Sequence, residues 1–475
     1  MAAANAKPLH VAMFPWLAFG HIMPYLDLAK HIARKGHTIS FLTTPRNIQR
    51  LPKLPPEYSS SISFVAIPLP SVPGLPAGAE ATMDIEGATQ MGFLKKAFDG
   101  LEPAVIRFLE AAVPDWVITD FLPHWLPAVT GRLGIPSALF FIFNAWFLSF
   151  FGSAQDLVIG SDYRTRPEDF MVPPRWIKFD TSLAYRRFEA NWVVGSGQNA
   201  ESGFSDQYRC GKIVIGCDAI VIRHCHEFEP DWLPLLEELH HRKVIPLGLM
   251  PPQVDNRDSA GDDDRTWISI KSWLDRKEKG SVVYVAFGSE VTLTREQLTE
   301  LAHGLELSNV PFFWALRRIT DSAVLPNGFE ERVMGRGIVW KSWSPQLKIL
   351  SHGSVGGFLT HCGWSSIVEG LMCGHPLITL PFLVDQGLNS RIIVHKGLAY
   401  EVARDKENGA YTRESVAESV KVVMSDNNKG RDLREKAKEV SKVFGDSELH
   451  GKYVDKFVEY LVEHTRLEEE NKIKE

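Results

Sequence analysis

The stretch Ser354-Val355-Gly356-Gly357-Phe358-Leu359-Thr360-His361-Cys362-Gly363-Trp364-Ser365-Ser366 decides the fold. Its opening reads as a short buried strand ending at His361, and Trp364 to Met372 reads as a helix whose first turn carries Ser365 and Ser366. The first N–H groups of such a helix have no partner within it and stand at its positive end. A diphosphate suits that position, and His361 offers one more donor. A glycine-rich strand-to-helix turn is by itself common punctuation in α/β proteins. More informative is its setting, because residues 343 to 386 also hold Trp343, Gln346, Glu369, Asp385 and Gln386. An aromatic face stacks a base, an acid takes ribose hydroxyls and an acid-amide pair takes sugar hydroxyls, so the inventory suits a sugar nucleotide.

Outward from this unit the strand-helix alternation continues. Val282 to Phe287, Phe312 to Leu316 and Ile338 to Trp340 read as strands, with a helix near Arg295 to Leu307. The first half repeats the scheme. Leu9 to Phe14, Thr38 to Leu42, Ser63 to Ile67 and Trp116 to Thr119 are strand-like, and Met23 to Arg34 and Leu101 to Ala112 have helical spacing. Such alternation predicts α/β domains with doubly wound parallel sheets, whose loops at the C-terminal strand ends are available for chemistry. Pro251 to Arg265 is rich in Pro, Asp, Asn and Gly without an apolar period and reads as a linker. The predicted division is therefore a domain over 1–250, a linker over 251–266 and a second domain over 267–455.

A chain of 475 residues with 44% hydrophobic content can bury two cores. Its formal charge of −6, with no basic run, argues against a nucleic-acid partner. Five sparse cysteines fit a reducing compartment, and no signal peptide is expected because Pro15 ends the strand-like Leu9 to Phe14, so a cytoplasmic protein is the expectation. Leu133 to Gln155 carries no charge and is long enough to span a bilayer. Pro136, Ser137, Asn144, Ser149 and Gly152 interrupt it, and Ser137 to Phe143 reads better as a buried strand leading into a buried helix. The charged segment Arg466 to Glu475 speaks against a C-terminal anchor.

Over the whole of residues 343–386 the chain resembles the plant secondary-product glycosyltransferases, the family-1 UDP-sugar-dependent enzymes. Around Phe14-Pro15-Trp16-Leu17-Ala18-Phe19-Gly20-His21 and Thr43-Thr44-Pro45-Arg46-Asn47-Ile48 it looks like the branch that often glycosylates the sugar of an existing glycoside. The resemblance implies the GT-B architecture, two facing Rossmann-like domains with a cleft between them, and a last helix and tail, 456–475, that return to the first domain. It implies Trp343 stacking on uracil with Ser344 reading its edge, and Gln346 and Glu369 on the ribose. His361, Gly363, Ser365, Ser366 and Ser289 would hold the phosphates, and Trp364, Asp385 and Gln386 the sugar. Ser365 stands where the family usually has Asn, and a shorter side chain can still donate to a phosphate. Gln386 at the end of the signature usually accompanies UDP-glucose; UDP-rhamnose and UDP-xylose are the alternatives.

Transfer of a sugar needs a base for the acceptor hydroxyl and stabilisation of the leaving diphosphate. His21, in an apolar aromatic loop, is the base candidate. A lone histidine at a helix start is ordinarily a cap or a core residue, and here the family's catalytic position reverses that reading. Its partner acid is Asp120, directly after the strand Trp116 to Thr119; Asp115 precedes that strand and belongs at the opposite sheet edge, and the bland role for Asp120 is a helix cap. Trp16, Phe19, Phe121, Trp125, Phe143 and Trp146, with Asn144, cluster near the strand ends as an expected acceptor wall. Such a wall suits a polycyclic aglycone, so the expected acceptor is a hydrophobic glycoside extended on its sugar, with direct glycosylation of an aglycone as the alternative.

Three patterns look like other chemistry. Gly195-Ser196-Gly197-Gln198-Asn199-Ala200 fits a dinucleotide fingerprint but precedes a polar segment and reads as a loop. Asp262-Asp263-Asp264 sits in the linker and reads as a solvated charge run. His224-Cys225-His226 lacks further ligands at zinc spacing, so no metal is expected. The expectation is an inverting UDP-glucose-dependent transferase with no cofactor beyond its co-substrate, acting as a monomer. The rival from another class is a non-catalytic sugar-nucleotide sensor, which has no need of a base-acid pair.

Overall fold

A computed structural model describes residues 7–160, 163–196, 201–252, 262–316 and 324–474 of the protein. Two units emerge: Met1–Thr165 with Gly195–Met250 and Glu448–Glu475, and Arg166–Val194 with Pro251–Ser447. The first unit is built on β1 (His10–Phe14), β2 (Thr38–Thr43), β3 (Ile62–Ala66), β4 (Trp116–Thr119), β5 (Ser137–Phe141), β6 (Ala219–Ile222) and β7 (Lys243–Pro246). These form one parallel sheet in the order β3-β2-β1-β4-β5-β6-β7. The second unit contains β8 (Val282–Ala286), β9 (Phe312–Ala315), β10 (Gly337–Trp340), β11 (Val355–Thr360), β12 (Leu377–Thr379) and β13 (Ala399–Glu401). Their order is β10-β9-β8-β11-β12-β13, again all parallel.

Helices cover both faces of a parallel sheet, so its central strands must be apolar throughout. Val282–Ala286 and Val355–Thr360 are buried at every position, as the continuous apolar runs require. In each unit the strand order reverses beside the first strand, between β1 and β4 and between β8 and β11. The loops leaving these strand pairs diverge, opening a crevice at their C-terminal ends. His21 follows β1 and Asp120 follows β4; Ser289 follows β8 and His361 follows β11.

The helix Ser447–Lys474 closes the first unit. Val454, Phe457, Val458 and Leu461 enter the same core as Val11, Met13 and Ile118, and Trp116 Nε1 donates to the Leu461 carbonyl (3.1 Å) and to Thr465 Oγ1 (2.9 Å). Each such buried side chain contributes about 1.5–3 kcal/mol relative to exposure.

Several boundaries differ from the sequence expectation. The first helix begins at Phe19 rather than Met23, which puts His21 in its first turn and Pro24 inside it. The missing Pro24 N–H falls to the carbonyl of Gly20, an exposed residue where water can serve instead. The strand from Ser137 stops at Phe141, because Asn144 caps the helix Ala145–Phe150. The C-terminal helix starts before residue 456, and Arg166–Val194 joins the second unit, an excursion that composition does not mark. Residues 253–261 of the expected linker lie outside the described residues, and Asp262 opens the helix Asp262–Leu274 instead of extending a loop. Gly195 and Ser196 end the helix Arg187–Ser196, so the glycine pattern there does not follow a strand; 197–200 lie outside the described residues. The uncharged run Leu133–Gln155 is broken into a helix end, a strand, a short helix and the start of a second short helix. Among the described residues no helix is long and apolar enough to cross a membrane.

Candidate active site

In the first unit, pairing of Phe14 with Thr119 brings the ends of β1 and β4 side by side. The turn after β1 carries His21, and Asp120 is the first residue beyond β4. Asp120 Oδ2 accepts from the Trp16 N–H (3.0 Å) and stands 2.7 Å from His21 Nδ1, while Oδ1 accepts from the Phe121 N–H (2.8 Å). Asp120 is fully buried and His21 nearly so. A carboxylate surrounded by N–H donors is an acceptor, so the Nδ1 side of His21 donates to Asp120 and Nε2 is the ring nitrogen turned away from the carboxylate. The rings of Phe121 and Phe143 flank the imidazole at centroid distances of 5.8 and 5.4 Å. Asp120 caps no helix. Asp115 accepts from the His10 N–H at the other end of β1, the edge the sequence assigned to it.

The expected acceptor wall is only partly available. Phe19, Phe121 and Phe143 are half-buried, whereas Trp16 and Trp125 belong to the core packed on Phe98 and Phe14. Trp146 is completely buried against His224 and Phe228, a correction to its place on that wall. Asn144, also fully buried, uses Oδ1 to accept from the Phe147 N–H (3.1 Å) and serves as a helix cap. Aromatic type and nearness to a strand end do not distinguish the two faces of a loop, and the core claimed the larger rings.

In the second unit, β11 delivers His361, and the helix Trp364–Met372 starts at Gly363, which supplies no side-chain cap to the positive end of the helix. Burial pushes His361 down to about 4, which makes it a neutral donor at pH 7. The ring fits only because its neighbours lack side chains: a Cβ on Gly288 or Gly363 would lie 2.9 or 2.7 Å from His361 Nε2. Ser289 and Ser365 are half-buried, and Ser366 is buried. Gln346 Nε2 donates to Glu369 Oε2 (2.6 Å), and the Tyr284 hydroxyl donates to Gln346 Oε1 (3.2 Å). Trp343 is 51% exposed, presenting a free aromatic face next to the buried Ser344.

Two donor-side expectations change. Trp364 is 4% exposed and its indole packs edge-on against Phe444, so the ring is committed to the core. Gln386 is buried and its Oε1 accepts from the N–H groups of Phe382 and Leu383 (both 2.9 Å), which leaves its NH2 outside those two bonds. Asp385 Oδ2 accepts from Asn389 Nδ2 (2.6 Å). Tyr284 and Asn389 were missed. A tyrosine in the middle of a buried strand must place its hydroxyl somewhere, and that was the available signal.

His224 Nε2 donates to the Glu229 carbonyl (2.7 Å), a structural bond. Among the described residues no group of three or more His, Cys, Asp or Glu is placed to hold a metal ion.

Two doubly wound parallel sheets, one with a histidine-acid pair at its switch point and the other with an uncapped helix start, are the components of a GT-B glycosyltransferase. A family model described as "UDP-glucoronosyl and UDP-glucosyl transferase" matches residues 266–465. The chain is similar to UDP-glycosyltransferase 91D2 of Stevia rebaudiana, 49% identical over 97% of this chain and 96% of that one. It is 44% identical to soyasaponin III rhamnosyltransferase of Glycine max, over 96% of each. Among solved structures, Phytolacca americana UGT2 complexed with UDP-2-fluoro-glucose and pterostilbene superposes with a TM-score of 0.74 at 27% identity, covering 96% of this chain and 100% of that one. The protein belongs to the plant family-1 UDP-glycosyltransferases, and the sensor reading falls with that membership.

Proposed function

We propose that this UDP-glycosyltransferase moves glucose from UDP-glucose to a hydroxyl on the sugar of a hydrophobic glycoside, in one displacement that inverts the anomeric centre. The observation that carries the reading is the 2.7 Å contact between His21 Nδ1 and Asp120 Oδ2. His21 Nε2 takes the acceptor hydroxyl proton, the new O–C1 bond forms as the C1–O bond to the diphosphate breaks, and UDP leaves with the electron pair. Asp120 holds the tautomer and stabilises the imidazolium. On the donor side Trp343 stacks uracil, backbone groups at Ser344 read its edge, and Glu369 and Gln346 take the ribose. His361, Ser289, Ser365, Ser366 and the helix start at Gly363 hold the diphosphate. Asp385, the Gln386 NH2 and the Trp364 backbone take the sugar hydroxyls, and these steps call on no metal.

The half-buried rings of Phe19, Phe121 and Phe143 support an apolar acceptor. One observation favours a second donor: a relative at 44% identity is named a rhamnosyltransferase. Incubation with UDP-glucose, UDP-rhamnose or UDP-xylose and a matched triterpenoid or flavonoid aglycone and monoglucoside, read by mass spectrometry, tests both points. The expected product is the monoglucoside plus one hexose from UDP-glucose. Faster turnover with UDP-rhamnose overturns the donor, and efficient use of the aglycone with the monoglucoside ignored overturns the acceptor.

A further inference from the structure

The Arg166–Val194 excursion packs on the loop that ends the donor signature. Val384, in that loop, adopts φ +51°, a left-handed conformation that a β-branched residue avoids. Such a conformation persists only where its surroundings hold it. Three groups do so here. Gln386 Oε1 accepts from Phe382 and Leu383, Asn389 Nδ2 holds Asp385, and from the excursion the buried Tyr185 donates its hydroxyl proton to the Val384 carbonyl (3.0 Å). Tyr185 is itself fixed, its N–H donating to the Phe170 carbonyl (3.0 Å). Behind it, Glu189 lies so close to the next helix that a Cβ on Gly387 would come within 2.5 Å of its carboxylate. Glu189 is held there by Arg186 (3.0 Å), whose guanidinium also pairs with Glu401.

We propose that Tyr185 is a positioning residue for the donor sugar: its hydroxyl keeps Val384 in the strained form that aims Asp385 and Gln386. The inference rests on the reading that these two residues meet the sugar. Because the nucleotide is read by other residues, loss of the hydroxyl should be felt by the sugar and not by UDP.

Tyr185→Phe keeps the ring and removes only the hydroxyl. It should lower kcat/KM for UDP-glucose about tenfold, through misplacement of the anomeric carbon, with the Kd for UDP unchanged. Val384→Gly, which takes positive φ without strain, should recover about threefold or more in the Tyr185→Phe background. Unchanged kcat/KM in Tyr185→Phe, UDP affinity falling in step with UDP-glucose turnover, or absence of rescue would each overturn the proposal. If Tyr185→Phe is unstable, Glu189→Gln reads the same brace, with a loss of about threefold in kcat/KM for UDP-glucose at constant UDP affinity expected and no loss overturning it. Gln386→Ala separates the two failures. If it leaves UDP-glucose kcat/KM intact, the sugar contact itself is wrong; if it lowers kcat/KM while Tyr185→Phe does not, only the brace is wrong.

Discussion

Gln346 reaches Glu369 across 2.6 Å with its amide nitrogen while Tyr284 closes on its amide oxygen from below at 3.2 Å. The tyrosine hydroxyl thereby fixes which way the amide points. In the proposed function this acid and amide take the ribose hydroxyls, and a pair locked in one orientation lowers the ordering cost of binding.

Glu369→Ala therefore removes a charge-assisted contact, and the Kd for UDP should rise about 10- to 100-fold. Tyr284→Phe leaves both partners in place and loosens only the amide, so a rise of about three- to fivefold is expected. Titration calorimetry with UDP measures both. Equal effects from the two variants would mean that Tyr284 contacts the nucleotide itself or that the strand has shifted.

His21→Ala should lower turnover about 10²- to 10⁴-fold, the usual contribution of a general base, with UDP affinity unchanged. Near-normal turnover on an alcohol acceptor would refute the base assignment. Asp120→Asn behaves differently because both carboxylate oxygens accept from N–H groups. An asparagine can turn its oxygen toward Trp16 and His21, preserving the tautomer, and must then set its NH2 against the Phe121 N–H. Less turnover should be lost than in His21→Ala, at a cost of about 1–3 kcal/mol in stability from the unpaired donors.

The fold was legible because a parallel sheet demands continuous apolar runs, and strands such as Trp116–Thr119 and the helix Trp364–Met372 announce themselves by pattern and punctuation. The placement of His21 after β1 and Asp120 after β4 followed from where runs end. Side-chain direction was less legible. Trp364 and Trp146 turn inward and Trp343 outward, and nothing in local composition separates them; packing against Phe444, His224 and Phe228 decides it. The excursion Arg166–Val194 was also opaque, since its attachment depends on contacts more than 190 residues away in sequence, such as Tyr185 to Val384.

Acid should unfold the protein through buried neutral histidines. Burial holds His224 and His240 at about 4, below the ordinary value of 6.5. Between these values the unfolded chain binds more protons than the native one, so stability rises with pH there and is lost as pH falls from 6.5 toward 4, by up to roughly 3 kcal/mol per histidine. Neither ring nitrogen of His240 has a hydrogen-bond partner among the described residues. His240→Leu should accordingly flatten the fall of Tm over this range and raise Tm at pH 7, by thermal denaturation. A parallel curve displaced downward would show that the imidazole is needed for packing.

The acceptor should be felt through Phe143 and Phe121. Phe143 stands edge-on to His21 at 5.4 Å and Phe121 tilts against it at 5.8 Å, and both remain half-buried while Trp16, Trp125 and Trp146 are committed to the core. An apolar acceptor covering these rings gains mainly area, so Phe143→Leu, which keeps bulk and loses the flat face, should raise KM for a triterpenoid or flavonoid glycoside about threefold to tenfold. Donor KM should not move, because the proposed donor contacts fall on other residues. A simple alkyl glucoside, offering the same sugar without a polycyclic body, supplies the control: it should be a poor acceptor for the unsubstituted enzyme and insensitive to the change. If Phe143→Leu depresses turnover of the alkyl glucoside as strongly as that of the large glycoside, the ring acts by orienting His21, and the apolar body of the acceptor must lie elsewhere.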